Sequence, residues 1–180
     1  MEVEIPDWVE ENAHFSDPQH RVWLRRLLAM FGVPVGFILH NPSRAGFVAN
    51  DPTVRRGISF AACVGASDLI FVSAATGIAT DADNLAAMDD PIGPMADEAL
   101  RVAAEFCLSH GGMLIAALGT PKGKAKTRRL MDARFRYILR LGLPLHLLRL
   151  TESGYPEHPL RLPGDLRPQP WEYLMPGVEQ

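Results

Sequence analysis

The fold class predicted by this sequence is a three-layer α/β/α domain around a four-stranded, mostly parallel sheet, and three observations predict it. Four short apolar runs, at residues 33–39, 68–75, 113–118 and 143–150, recur at wide spacing between Gly, Pro and polar residues. Within each run successive rather than alternate positions are apolar, the pattern of strands covered on both faces. The stretches between them carry helix start and stop signals. A chain of 180 residues, 47% hydrophobic and 22% charged, holds one such domain with an ordinary core.

The elements follow in order. Asp17-Pro18 predicts a helix to about residue 31, with Asp17 as cap and Pro18 at the first helical position. Strand 33–39 ends at His40-Asn41-Pro42-Ser43. Asp51-Pro52 repeats the start signal for a helix to about Cys63. Strand 68–75 centres on Ile70, Phe71 and Val72. Asp90-Pro91 opens a third helix, which Gly111-Gly112 stops. Strand 113–118 leaves through Gly119, a basic helix runs from about 125 to 141, and strand 143–150 closes the set. The order α-β-α-β-α-β-α-β requires right-handed crossovers. An acidic segment 1–16 precedes the domain, residues 17–165. A Pro-rich tail, 166–180, follows, tied to the surface by Trp171 and Tyr173.

Composition removes several classes. No run approaches about 18–20 apolar residues, so no membrane helix is expected. The acidic start is unlike a secretory signal. The expectation is a soluble, cytoplasmic monomer. Two cysteines, Cys63 and Cys107, do not fill a four-thiolate site, and both are expected as buried thiols. No G-x-S-x-G, P-loop, G-x-G-x-x-G, Cys-x-x-Cys or His-x-x-x-His is present, so neither a metal nor a cofactor is expected.

Charge is unevenly spread. Six acids and no Lys or Arg fall in residues 1–17. Nine bases against the single acid Asp132 fall in residues 122–149, inside a chain of net charge −3. That concentration suits a phosphate-contacting surface. In an open parallel sheet, ligands sit outside the carboxyl ends of the strands. The residues there are polar: His40, Asn41, Ser43 and Arg44; Ser73, Thr76 and Thr80; Gly119, Thr120 and Lys122; Thr151, Glu157 and His158. Amides, hydroxyls and imidazoles dominate. His146, inside the last strand, is expected as a satisfied core residue.

Two resemblances add to this. Asn41-Pro42-Ser43-x-Ala45, Asn50-Asp51-Pro52-Thr53-Val54-Arg55-Arg56, Asp90-Pro91-Ile92-Gly93-Pro94 and Gly154-Tyr155-Pro156-Glu157-His158-Pro159-Leu160 resemble, in order, the signature of a domain-of-unknown-function family of short bacterial and phage proteins. That match spans residues 37–162 and implies no activity. More distantly, Asn41-Pro42 after the first strand and His158-Pro159 after the last resemble the two motifs of the uracil-DNA glycosylase superfamily, with Leu39 where that superfamily has Gly. In the first family the second strand runs into Asn-Leu-Phe and then an aromatic residue. Here Ser73, Ala74, Ala75 and Gly77 stand at those places, which reads as a pocket widened for a bulky base.

The superfamily resemblance implies a monofunctional DNA glycosylase acting on a modified pyrimidine, hypermodified or glycosylated. Asn41 would orient water, His158 would donate to the leaving base, and Asp51 would serve as base or cation stabiliser, or simply as a helix cap. His40, Pro42, Ser43, Arg44, Ser73, Ala75, Thr76 and Gly119 would line the substrate pocket. Arg55, Arg56, Lys122, Lys124, Lys126, Arg128 and Arg129 would hold the backbone of double-stranded, phage-derived DNA, in an antiviral role. Two other readings compete: a nucleotide-processing hydrolase or transferase, and a non-catalytic reader of modified bases.

Overall fold

The computed structural model describes residues 4–43, 45–46 and 48–173. It is an α/β fold on a seven-stranded mixed sheet. In chain order the strands are β1 (Ala13–Asp17), β2 (His20–Leu27), β3 (Val33–Leu39), β4 (Ala66–Ser73), β5 (Met113–Ala116), β6 (Leu145–Leu147) and β7 (Gln169–Pro170). The helices are α1 (Pro52–Cys63), α2 (Ala82–Ala87), α3 (Ala96–Ser109) and α4 (Ala125–Arg140). Across the sheet the order is β1-β2-β4-β3-β5-β6-β7. The pairs β4–β3, β3–β5 and β5–β6 are parallel, and the outer pairs are antiparallel. The four predicted strands are thus the parallel centre of a wider sheet. Among the described residues no helix is long and apolar enough to cross a membrane.

Side chains of opposite parity on β3 and β4 feed two cores. Val35, Phe37, Leu69 and Phe71 meet Val54, Phe60 and Ala61 of α1 on one face. Ile38, Ile70 and Val72 meet Leu100, Ala103 and Cys107 of α3 and Phe135 and Ile138 of α4 on the other. Burying both faces demands runs of consecutive apolar residues, which is why the central strands lack alternation. Burial pushes the Cys107 thiol up to about 12. Cys63, expected to be buried, is exposed at the last turn of α1.

Three corrections concern the frame. The helix predicted from Asp17-Pro18 is instead the β1–β2 hairpin. Asp17 Oδ1 accepts from Gln19 N at 2.8 Å and its carboxylate lies 2.8 Å from His20 Nδ1, so the aspartate closes a turn rather than capping a helix. The acidic segment is therefore part of the fold: β1 pairs with β2, and Val9 is buried in the core. The third helix starts at Ala96 rather than at Asp90, because Asp90 Oδ1 accepts from Gly93 N in a turn of its own. The last parallel strand shrinks to Leu145–Leu147, and His146 Nδ1, expected to be satisfied, is buried without a hydrogen-bond partner among the described residues. The described part of the tail, residues 166–173, does bind the surface: Trp171 stacks on Phe135, Tyr173 Oη donates to Leu143 O at 2.7 Å, and β7 pairs with β6.

Helix α1 approaches β4 closely because residue 57 is glycine. A Cβ there would fall inside contact distance of the buried Phe71 ring. Gly57→Val is expected to lower stability by about 1–3 kcal/mol, measured by denaturant unfolding, as overpacking against the buried Phe71 ring.

Candidate active site

The parallel centre reverses direction at β3: the chain crosses from β3 to β4 on one side, then back over to β5 on the other. A crevice opens at such a switch point beyond the strand ends. Here it holds a cleft of two lobes. The first, of about 440 Å³, is lined by residues following β3, β5 and β6, including His40, Asn41, Gly119, Thr120, Lys122, Glu157 and His158. The second, of about 320 Å³, is lined by Arg21, Asn41, Ser43, Asp51, Thr53, Phe71 and His158, among others. Asn41 and His158, 117 positions apart, line both lobes.

Asn41 sits where the chain leaves β3. The backbone still runs beside β4 through Ala74 N to Leu39 O and Ala75 N to His40 O, both 2.8 Å. The Asn41 amide nitrogen donates to Pro42 O at 2.9 Å and Ala79 O at 2.7 Å. With both N–H groups spent, the amide is fixed and Oδ1 is left as acceptor.

His158 is carried by a turn that three backbone bonds hold. Thr151 N donates to Tyr155 O, Glu157 N to Arg149 O, and Gly119 N to Pro156 O at 2.7 Å. Arg149 grips the Glu157 carboxylate through Nε at 2.8 Å and a terminal nitrogen at 3.1 Å. His158 Nδ1 accepts from Leu160 N at 3.3 Å, so in the neutral ring the proton lies on Nε2. Burial holds the ring's pKa below the ordinary histidine value; Asp51 works against that shift and Lys122 with it. The result is a neutral imidazole with its proton on Nε2.

His40 lies beneath. It is buried, its Nε2 lies 3.3 Å from Gly119 O, and burial pulls its pKa down to about 4. Gly119 has φ +75°, and a Cβ there would stand 3.2 Å from His158 Cβ, so any other residue would strain the backbone and crowd His158. Asp51 caps α1 through Oδ1 from Val54 N at 2.8 Å and also lines the second lobe; the cap and the site are one residue.

Other expected site residues lie elsewhere. Ser73, Ala75 and Thr76 are buried and do not line the cleft, and Thr76 Oγ1 donates to Ile92 O at 2.9 Å. The small residues at 73–75 and 77 do not widen a pocket: Ala74 O takes Arg134 Nε at 2.5 Å, and Leu85 and Met88 crowd Gly77. Pro42 is buried behind Asn41, outside the lining. Arg44 falls outside the described residues.

The basic cluster divides. Arg134 is buried on Ala74 O and Asp97, Arg136 pairs with Asp132, and Arg149 with Glu157. Arg56 donates to Leu162 O and lies 5.0 Å over the Phe60 ring, a structural role rather than the expected phosphate contact. Arg55 is exposed and donates to Asn50 O at 2.6 Å. Lys122, Lys124, Lys126, Arg128 and Arg129 are exposed around the start of α4, beside the cleft. Helix α4 is capped across space: Asp83 Oδ1 accepts from Lys124 N at 2.7 Å and from Thr127 Oγ1 at 2.5 Å.

Arg21, Thr53 and Phe71 are lining residues that the sequence reading missed as site residues. The helix predicted over 17–31 hid Arg21, whose placement follows only from the β1–β2 hairpin.

His40 sets an acid limit on the fold. Its folded pKa of about 4 lies below the ordinary value of about 6.5, so the stability it contributes is present above pH 6.5 and is lost as the pH falls to 4. The expected loss is about 3 kcal/mol, and His40→Gln should remove most of that pH dependence in urea unfolding between pH 7 and 4.

Among curated proteins and solved structures, none matches the chain. Residues 21–160 match the family described as "Protein of unknown function (DUF1643)", and the chain belongs to that family.

Proposed function

We propose that the protein is a monofunctional DNA glycosylase that hydrolyses the N-glycosidic bond of a modified pyrimidine in double-stranded DNA and leaves an abasic site. The meeting of Asn41 and His158 in one cleft beside exposed bases supports this most directly. A base in duplex DNA must leave the stack to reach such a cleft, at a cost of a few kcal/mol. Lys122, Lys124, Lys126, Arg128 and Arg129 offset that cost by gripping phosphates, which makes binding weaken steeply with salt.

Cleavage puts positive charge on the sugar and negative charge on the departing base. His158 donates from Nε2 to the base's carbonyl oxygen as that charge develops. Being neutral, it stabilises the anion without a full charge transfer, and Nδ1 stays committed to Leu160 N. Asn41 Oδ1 accepts a hydrogen from the attacking water and aims its lone pair at the sugar. An amide takes no proton at neutral pH, so it acts by positioning; the proton that the water loses passes through solvent to the departing base anion, which leaves as the neutral base, and turnover is slow. Asp51, on the second lobe, offsets the cationic sugar while holding α1. The corresponding biological role is defence against phages whose DNA carries modified bases.

The test is incubation of the pure protein with unmodified and modified phage genomes, with mass spectrometry of released bases and alkaline scission of the product. Asn41→Ala and His158→Ala should each lower base release about 10²–10³-fold. Full release by both variants overturns the assignment of the site. Absence of duplex binding at low salt points instead to a nucleotide-processing hydrolase or transferase. Binding without alkali-labile sites means a non-catalytic reader.

A further inference from the structure

Two Asp-Pro pairs, Asp17-Pro18 and Asp90-Pro91, open no helix, and one histidine joins them. His20 is 6% exposed. Its Nδ1 lies 2.9 and 2.8 Å from Oδ1 and Oδ2 of Asp17, and its Nε2 lies 2.7 Å from Asp90 O. A carbonyl and an ionised carboxylate only accept, whereas a neutral imidazole carries a single N–H. Both bonds form together only when the ring is an imidazolium. Asp17, at the end of β1, and Asp90, on the loop after α2, are the carboxylates that act on the ring. The segment 76–79 beside it, Thr-Gly-Ile-Ala, has no ionisable side chain. Burial opposes the charge, but the bonds to Asp90 O and Asp17 and the two carboxylates outweigh it, so the ring's pKa stands above the ordinary value of about 6.5.

The ring sits where three segments are laced together. A bridge pairs His20 with Gly77, Ile78 N donates to Gln19 O at 2.8 Å, and Arg21 N donates to Thr76 O at 3.0 Å. On the other side, Thr76 N and Gly77 N donate to Ile92 O and Pro91 O at 2.8 and 3.3 Å. Gly93 has φ +82°, and a Cβ there would overlap the His20 ring and Thr76 Oγ1. Segment 76–79 is thus held between the β1–β2 hairpin and the loop 90–93, and His20 bonds to both. Its last residue reaches the cleft. Ala79 N donates to Pro42 O at 3.1 Å, and Ala79 O accepts from the Asn41 amide at 2.7 Å.

We infer that His20, in its charged form, is a positioning residue for Asn41: it ties the 90–93 loop to the β1–β2 turn around segment 76–79, and that segment sets the carbonyl that fixes the Asn41 amide. When the pH rises far enough to take the ring's proton, one of the two bonds is lost and the grip on Asn41 loosens. The inference rests on the glycosylase reading for its effect on base release, but not for the coupling of His20 to Asn41.

The test is NMR titration of the full-length protein from about pH 5 to 9, following the His20 ring carbon Cε1 and the Asn41 side-chain amide. His20 should titrate with a midpoint above about 6.5, and the Asn41 amide signals should move with that same midpoint. His40 and His158 are held below the ordinary histidine value by burial, so neither accounts for a step there. His20→Gln should abolish the step at Asn41. Because His20 is buried, Asp17→Asn is the second variant: it keeps an acceptor for Gln19 N and should lower both midpoints together by about one pH unit. Single-turnover base release from modified DNA should fall at least about tenfold as the pH rises through the wild-type midpoint, with DNA affinity unchanged. A wild-type midpoint at or below about 6.5, an Asn41 signal that ignores the His20 titration, or midpoints that separate in Asp17→Asn overturns the inference. Base release that stays level across the midpoint also overturns it while leaving the glycosylase intact. Linked midpoints with no release from any DNA keep the coupling and remove the glycosylase reading.

Discussion

Three segments far apart in the chain meet at Gly119, and the cleft depends on that meeting. Its N–H holds Pro156 O, its carbonyl lies 3.3 Å from His40 Nε2, and its missing side chain lets His158 come close. The left-handed backbone that makes this possible is open to glycine at little cost. Asn41, His40 and His158 are therefore held by backbone groups in the loops beyond β3, β5 and β6, inner strands of the sheet. Side chains set by backbone bonds lose little entropy when a ligand arrives, which is what a site that works by positioning requires.

Charge in this protein is used in two distinct ways. Arg25, Arg134 and Arg149 are fastened to carboxylates and hold loops in place. Pairs such as Arg134–Asp97, with Arg134 also on Ala74 O, carry a buried charge whose removal would leave a carbonyl stranded. Among the described residues, the lysines and arginines at the start of α4 have no such duties on their side chains, apart from Arg128 on Gly123 O. Asp83 takes over the capping of α4, so the side chain of Lys124 stays free. A count of bases along the sequence mixes the two groups; their partners separate them.

Much of the frame could be read from the chain because both-face burial leaves a plain mark. The runs around Phe37, Ile70 and Ile115 are apolar without alternation, and each became a parallel strand. The same dipeptide, however, began two different structures. After Asp51-Pro52, buried positions recur at Val54, Gly57, Phe60 and Ala61, a helical spacing. After Asp17-Pro18 come consecutive buried residues from His20 to Leu24, a strand covered on both sides. Missing that difference also hid Arg21. Asn41, Gly119 and His158 were legible because polar residues just past apolar strands stand out. Ser73, Ala75 and Thr76 share that position in sequence, yet all three are buried, and the loop around Ile92 binds Thr76 through its N–H and hydroxyl. No local signal marks such a cover.

The sheet ends deserve a last consequence. On one side β1 is five residues long, with register irregularities on both sides of Phe15; on the other, β7 is two residues and ends in Pro170. A foreign strand needs a straight ladder of free amides and carbonyls to dock, and neither margin supplies one. Crowded side by side along a common polymer, copies of this chain would lack a template for fusing their sheets.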